Sequence, residues 1–124
     1  MIKPIKPTES ELEILQVLWK KGEATVREVH EVLAHFKDCG YTTTLKLMQI
    51  MHEKKIVDRD DSSRTHIYKP LVSREKTQTL MVDKIVNSMF SGSHSQLVMK
   101  ALGSHKPTAT EINAIQDLLD NYKK

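Results

Sequence analysis

Between Thr8 and Pro70 the apolar residues repeat at helical spacing three times in succession and then alternate once, as in a strand hairpin. Few folds accommodate that order within about 60 residues. The first helical stretch opens at Thr8, with Glu11 three residues later completing a capping box before an apolar run. Leu12, Leu15, Leu18 and Trp19 then share one face, and Lys20-Lys21-Gly22 closes the helix with cations at its negative end and a turn-permitting glycine. Thr25 opens the second stretch, where Val26, Val29, Leu33 and Phe36 recur at intervals of three and four. Asp38-Cys39-Gly40 interrupts it.

The third stretch runs from about Thr42 to Lys54. On a helical wheel Thr44, Leu47, Met48 and Met51 gather on one side, with Thr42, Lys46, Gln49 and Glu53 opposite. Ile56-Val57 then starts a strand, Asp60-Asp61-Ser62-Ser63 has turn composition, and Thr65-His66-Ile67-Tyr68 returns as a second strand that Pro70 stops. Three helices followed by a two-stranded ribbon is the winged helix-turn-helix plan. The expected fold class is therefore mainly α with a small two-stranded β-wing.

Beyond Pro70 the pattern is helical again. Ser73–Phe90 carries Met81, Ile85 and Met89; a short apolar piece around Leu97 spans Ser95–Leu102; and Thr108 with Glu111 forms a capping box ahead of Ile112, Ile115, Leu119 and Tyr122. These helices are too short to enclose much core alone. Folding back on the head is one way to cover their stripes. Pairing with a second copy is the better one, because two-fold dimers are the commonest assembly and suit paired DNA half-sites. The expected division is a winged-helix head over residues 1–70 and a helical dimerisation region over 71–124.

A net charge of +3 is too small to define a partner, but its distribution is informative. Thr8–Asp38 holds 4 basic and 7 acidic residues, whereas Gly40–Lys76 holds 8 basic and 5 acidic. Such segregation is expected if one face meets phosphates. Cys39 is the sole cysteine, which excludes an intrachain disulfide and a cysteine-based zinc site within one chain. The start, Met1 to Pro7, alternates Pro, Lys and Ile, which suggests an extended arm and has no signal-peptide core. A cytoplasmic location without membrane insertion is expected.

The candidate DNA-contacting residues are Tyr41, Thr42, Thr43, Thr44, Lys46 and Gln49 on and before the third helix, with Arg59 and Arg64 flanking the hairpin turn. Threonine hydroxyls bond phosphates or base edges, threonine methyls meet thymine methyls, and lysine reaches phosphate or guanine. A merely solvated surface is the plain alternative for such residues. The six histidines have no metal-ligand spacing, since His30 and His35 are five apart and splay around a helix. Neither a glycine-rich loop nor a nucleophile motif is present, so no enzyme activity, metal or small-molecule cofactor is expected. Asp38 beside Cys39 disfavours a reactive thiolate.

Glu11-Leu12-Glu13-Ile14-Leu15-Gln16-Val17-Leu18-Trp19, the segment from Tyr41-Thr42-Thr43-Thr44 to Met51-His52-Glu53-Lys54, the strand end Ile67-Tyr68 and Glu111-Ile112-Asn113 resemble the penicillinase repressor family (BlaI/MecI/CopY type). The resemblance implies a homodimer whose heads bind a palindromic operator in double-stranded DNA. It also implies release when a membrane-bound metallopeptidase sensor triggers cleavage in the C-terminal region. Asp120-Asn121-Tyr122-Lys123-Lys124 lacks the cysteine-rich ending of the copper-responsive branch. Leu45 and Ile50 stand where members often carry polar or basic residues, Lys55 where many carry glycine, and Lys100-Ala101 where some have a cleaved Asn-Phe bond. The leading reading is a sequence-specific transcriptional repressor; a winged-helix adaptor that binds protein rather than DNA is the alternative.

Overall fold

In the computed structural model, which describes residues 6–124, six helices and three short strands follow one another. Residues 1–5, most of the expected arm, lie outside the described residues. The order is α1 (Glu9–Lys21), β1 (Ala24–Thr25), α2 (Val26–Leu33), α3 (Tyr41–Glu53), β2 (Val57–Asp60), β3 (Ile67–Pro70), α4 (Arg74–Met89), α5 (His94–Ser104) and α6 (Ala109–Tyr122).

The local signals act where they stand. Thr8 Oγ1 accepts the Glu11 N–H and a Glu11 carboxylate oxygen accepts the Thr8 N–H, so two orphan donors of α1 are satisfied at once. At the other end Gly22 takes φ +87° and donates its N–H to the Leu18 carbonyl at 2.7 Å. Thr25 and Glu28 form a second box at the start of α2, and Thr108 and Glu111 the third at α6. Helix α2 stops at Leu33, three residues short of its expected apolar stripe. The N–H groups of Phe36 and Lys37 both donate to the Leu33 carbonyl, and the resulting turn leaves Phe36 82% exposed.

The wing has three strands rather than the expected two. Strand β1 pairs antiparallel with β3 (Ala24 opposite Tyr68, Thr25 opposite Ile67), and β3 pairs with β2 (Val57 opposite Pro70, Arg59 opposite Tyr68), giving the order β1-β3-β2. Two residues show no alternation, so β1 is invisible to periodicity. Its partner strand places it. Thr25 thus ends a strand and caps a helix together, which joins the wing to the helix-turn-helix formed by α2 and α3.

One core holds this head. Ile14, Leu15 and Leu18 of α1, Val29 of α2, Met48 and Met51 of α3, and Ile56, Val57 and Tyr68 of the wing region are all essentially inaccessible. Each such side chain contributes about 1.5–3 kcal/mol by leaving water. By packing, the chain divides inside α4, into a unit ending at Met81 and a unit Val82–Lys124. The change of pattern at Pro70 precedes this break, because the start of α4 is held to the head. Trp19 donates its indole N–H to the Val72 carbonyl at 2.9 Å, and the Arg74 guanidinium lies 5.9 Å from the Trp19 ring centroid. In the second unit Val86 is fully buried, Ser93 caps α5, and most apolar residues are exposed.

Lys55 leaves α3 with φ +63°. Its N–H donates to the His52 carbonyl and that of Ile56 to the Met51 carbonyl, a left-handed helix exit that favours glycine. A side chain there costs about 1–2 kcal/mol, partly offset by the greater chain entropy that glycine loses on folding. Lys55→Gly is therefore expected to hold stability or raise it by up to about 1 kcal/mol, whereas Lys55→Ile, β-branched, lowers it by more than about 1 kcal/mol. Urea midpoints at unchanged slope measure both; a glycine variant less stable than the isoleucine one refutes the assignment.

Candidate nucleic-acid interface

Helix α3 sorts its residues sharply by side. Thr44, Met48 and Met51 are buried, with Leu45 and Leu47 half-buried beside them. Tyr41, Thr42, Thr43, Lys46 and Gln49 are exposed. The three threonines are therefore not one surface. Thr44 is 1% exposed, its hydroxyl donates to the Gly40 carbonyl at 3.5 Å, and it lies 3.4 Å from His30 Nδ1. Its 100° step from Thr43 turns it into the core with Met48 and Met51, so its placement among outward contact residues is corrected. Tyr41 is exposed while its ring meets His30 edge-on, centroids 5.6 Å apart.

The far end of α3 is pinned by charge. Lys54 Nζ reaches both carboxylate oxygens of Glu11, at 2.9 and 3.2 Å, and Glu11 is 1% exposed. Burial works to raise the Glu11 carboxyl, but the Thr8 N–H and then Lys54 outweigh it, leaving the group below its ordinary 4.5. The helix is thus tied to α1 at its exit and to α2 at its entry, which sets its rotation and hence what it presents outward.

The wing arginines behave differently from one another. Arg64 is exposed in the loop between β2 and β3. Arg59 is held in: its side chain is only 23% accessible, one guanidinium nitrogen sits 3.6 Å from the Asp61 carboxylate, and its buried Nε has no hydrogen-bond partner among the described residues. Asp60 accepts the Ser62 N–H at 3.0 Å, which lowers its carboxyl and shapes the turn. Between wing and helices lies a crevice of about 400 Å³, with Thr25, Arg27, Tyr41, Leu45, Arg64 and His66 on its walls. Two cations facing one crevice beside two hydroxyl groups suit an anion such as a phosphate. Arg27 and His66 were not singled out from the sequence. Arg27 has no motif, and only the approach of α2 to the wing gives it a role. Among the described residues no group of three His, Cys, Asp or Glu could hold a metal ion, and no helix is long and apolar enough to cross a membrane.

Residues 7–121 match the penicillinase repressor family. The chain belongs to that family. Among its relatives, a transcriptional regulator BlaI of Mycobacterium tuberculosis (strain ATCC 25618 / H37Rv) is 34% identical over 95 residues, covering 75% of this chain and 69% of the relative. A penicillinase repressor of Bacillus licheniformis is 20% identical over 94% of this chain and 91% of the relative. The methicillin resistance regulatory protein MecI of Staphylococcus aureus (strain N315) is 20% identical over 91% and 92%. The solution structure of the DNA binding domain of the repressor BlaI superposes with a TM-score of 0.53 at 22% identity, over 60% of this chain and 90% of that one. That likeness shows the winged-helix fold of the family head.

The Glu11 anchor has a pH signature. A carboxyl lowered by folding stabilises above its unfolded value, and that contribution is lost as pH falls through the folded value. Stability of the native chain should therefore fall below about pH 4.5. Glu11→Gln should be less stable by about 1–3 kcal/mol near neutral pH and should lose less on acidification. Parallel urea titrations of the two chains, near neutral pH and near pH 3.5, read the difference; equal acid sensitivity would show that Glu11 has no part in it.

Proposed function

We propose that this chain is a DNA-binding transcriptional repressor that works as a homodimer on a palindromic operator. The observation that carries this reading is the outward side of α3, where Thr42, Thr43, Lys46 and Gln49 are exposed on a helix whose opposite side is locked into the core. A helix enters the major groove only when its leading face is slim and polar, and the hydroxyl groups and lysine meet that need. Tyr41, Arg64 and Arg27 supply phosphate contacts at the groove edge, with Arg59 shaping the wing that carries Arg64. Thr44 acts from inside, as a packing residue. The relatives named as repressors and regulators support the same reading.

Dimer formation falls to the second unit and α4. Ile85, Met89, Ile112, Leu119 and Tyr122 are exposed on their helices, and Met81, Leu97 and Ile115 are half-buried. Burying such side chains against a second copy is the simplest way to remove them from water. Two linked heads hold one palindrome far more tightly than one head, through effective concentration. Loss of pairing is then enough for release. Cleavage in the C-terminal region, triggered by a membrane-bound metallopeptidase sensor, would achieve it in the cytoplasm.

A gel-shift titration of the full chain on DNA from upstream of its own gene, at physiological salt, tests the proposal. Specific retardation is expected, and its absence would favour a protein-binding adaptor. Lys46→Ala should weaken binding to all DNA and flatten the log affinity against log salt plot by about 0.9, the share of one phosphate contact. An unchanged slope removes Lys46 from the phosphate footprint. Leu119→Asp should shift sedimentation toward monomer and weaken operator binding by about 10²-fold or more. A variant that stays dimeric at low concentration excludes Leu119 from the interface.

A further inference from the structure

A groove of about 600 Å³ lies on the head away from the residues assigned to DNA, between α1 and the end of α2. Val17, Val32, Leu33 and Phe36 make it apolar, and Lys20 and Lys21 stand at one end of its α1 wall. Its size falls within the range of about 300–1,000 Å³ typical of small-molecule sites, as does the combination of an apolar lining with a few polar groups. Phe36 is the unusual element. A large aromatic side chain 82% exposed beside nearly buried Val17 and Leu33 is left in water by the early stop of α2.

The charge at the rim is one-sided. Glu13, on the groove wall about two turns before Lys20, is neutralised by Lys37 at 2.9 Å. Neither Lys20 nor Lys21 forms an ion pair among the described residues, although Lys21 is near enough to Glu28 to help lower its carboxyl. The carbonyl end of α1 offsets only about half a unit charge of the two lysines. A positive surplus therefore sits beside an apolar floor, and that complementarity selects the occupant.

We propose that this groove binds a small amphipathic anion, with its apolar body against Val17, Leu33 and Phe36 and its carboxylate at Lys20 and Lys21. Binding of such a molecule does not depend on the DNA reading, so the two are tested separately. Calorimetric titration of the full chain without DNA, using decanoate below its micelle threshold, is expected to show saturable binding of one molecule per chain. Decyltrimethylammonium, with the same tail and opposite charge, should bind at least about tenfold more weakly. The double variant Lys20→Gln/Lys21→Gln and the single variant Phe36→Ser should each weaken decanoate about tenfold or more. All three positions are exposed, and matching urea midpoints for the variants would certify their folding. Decanoate binding that fails to saturate, that survives both sets of substitutions, or that is matched by the cation overturns the proposal. So does a shift of the Phe36→Ser chain toward monomer in sedimentation, because the groove would then be covered by a second copy.

Discussion

A carboxylate with almost no access to water holds the outward-facing helix in register. Glu11 sits in the first turn of α1, yet its charge is answered from Thr8 on one side and from Lys54, the residue closing α3, on the other. Taking a charge out of water is expensive unless its oxygens are fully engaged, and here both are. Apolar contacts would accept a small rotation of α3 at little cost, whereas charged hydrogen bonds fall away with distance and angle. At the other end of the helix, Thr44 and Tyr41 meet His30 of α2. A rotation by one residue would drive Lys46 toward the core and Met48 into water. The exposure of the polar tip is thus a consequence of anchors at both ends, with Met48 and Met51 as the apolar keel between them.

The same economy of residues links wing and helices. Thr25 closes β1 and caps α2, so the strand that completes the sheet and the helix that supports α3 share one position. Movement of the wing therefore pulls on the start of α2. Arg27 and Arg64 end up facing one crevice because of that shared residue, although they are far apart in sequence.

Much of the head was legible in its residues because the deciding interactions are local. Capping boxes act over three residues, Gly22 turns the chain where it stands, and the alternation after Ile56 announces the hairpin. The wheel also places Thr44 with Met48 and Met51, although it stands in one run with the exposed Thr42 and Thr43. What stayed hidden depends on distant partners. Strand β1 exists because β3 offers an edge to pair with, and the half-buried placement of Arg59 goes with its position opposite buried Tyr68 in the sheet. The Glu11–Lys54 pair spans most of the head's sequence, and within its own helix Glu11 reads only as a cap. Phe36 fits the helical interval on paper but follows a turn that the spacing alone does not announce.

The second unit leaves much of its apolar surface in water. Three helices of this length bury Val86 completely and leave Met89, Met99, Leu118, Leu119 and Tyr122 at least half exposed. Small units bury a low fraction of their surface, and short helices are marginal without a packed face. If a second copy supplies that face, folding of the tail and pairing of the heads become one equilibrium, set by protomer concentration. A single cut or a single charge placed in the stripe then acts twice, by loosening the tail and by separating the heads. On that arrangement a modest loss of pairing energy would become a large loss of operator occupancy, because binding to two half-sites multiplies the effect of linkage. A repressor built this way would release its operator with the head unchanged, as the anchoring of α3 at both ends favours.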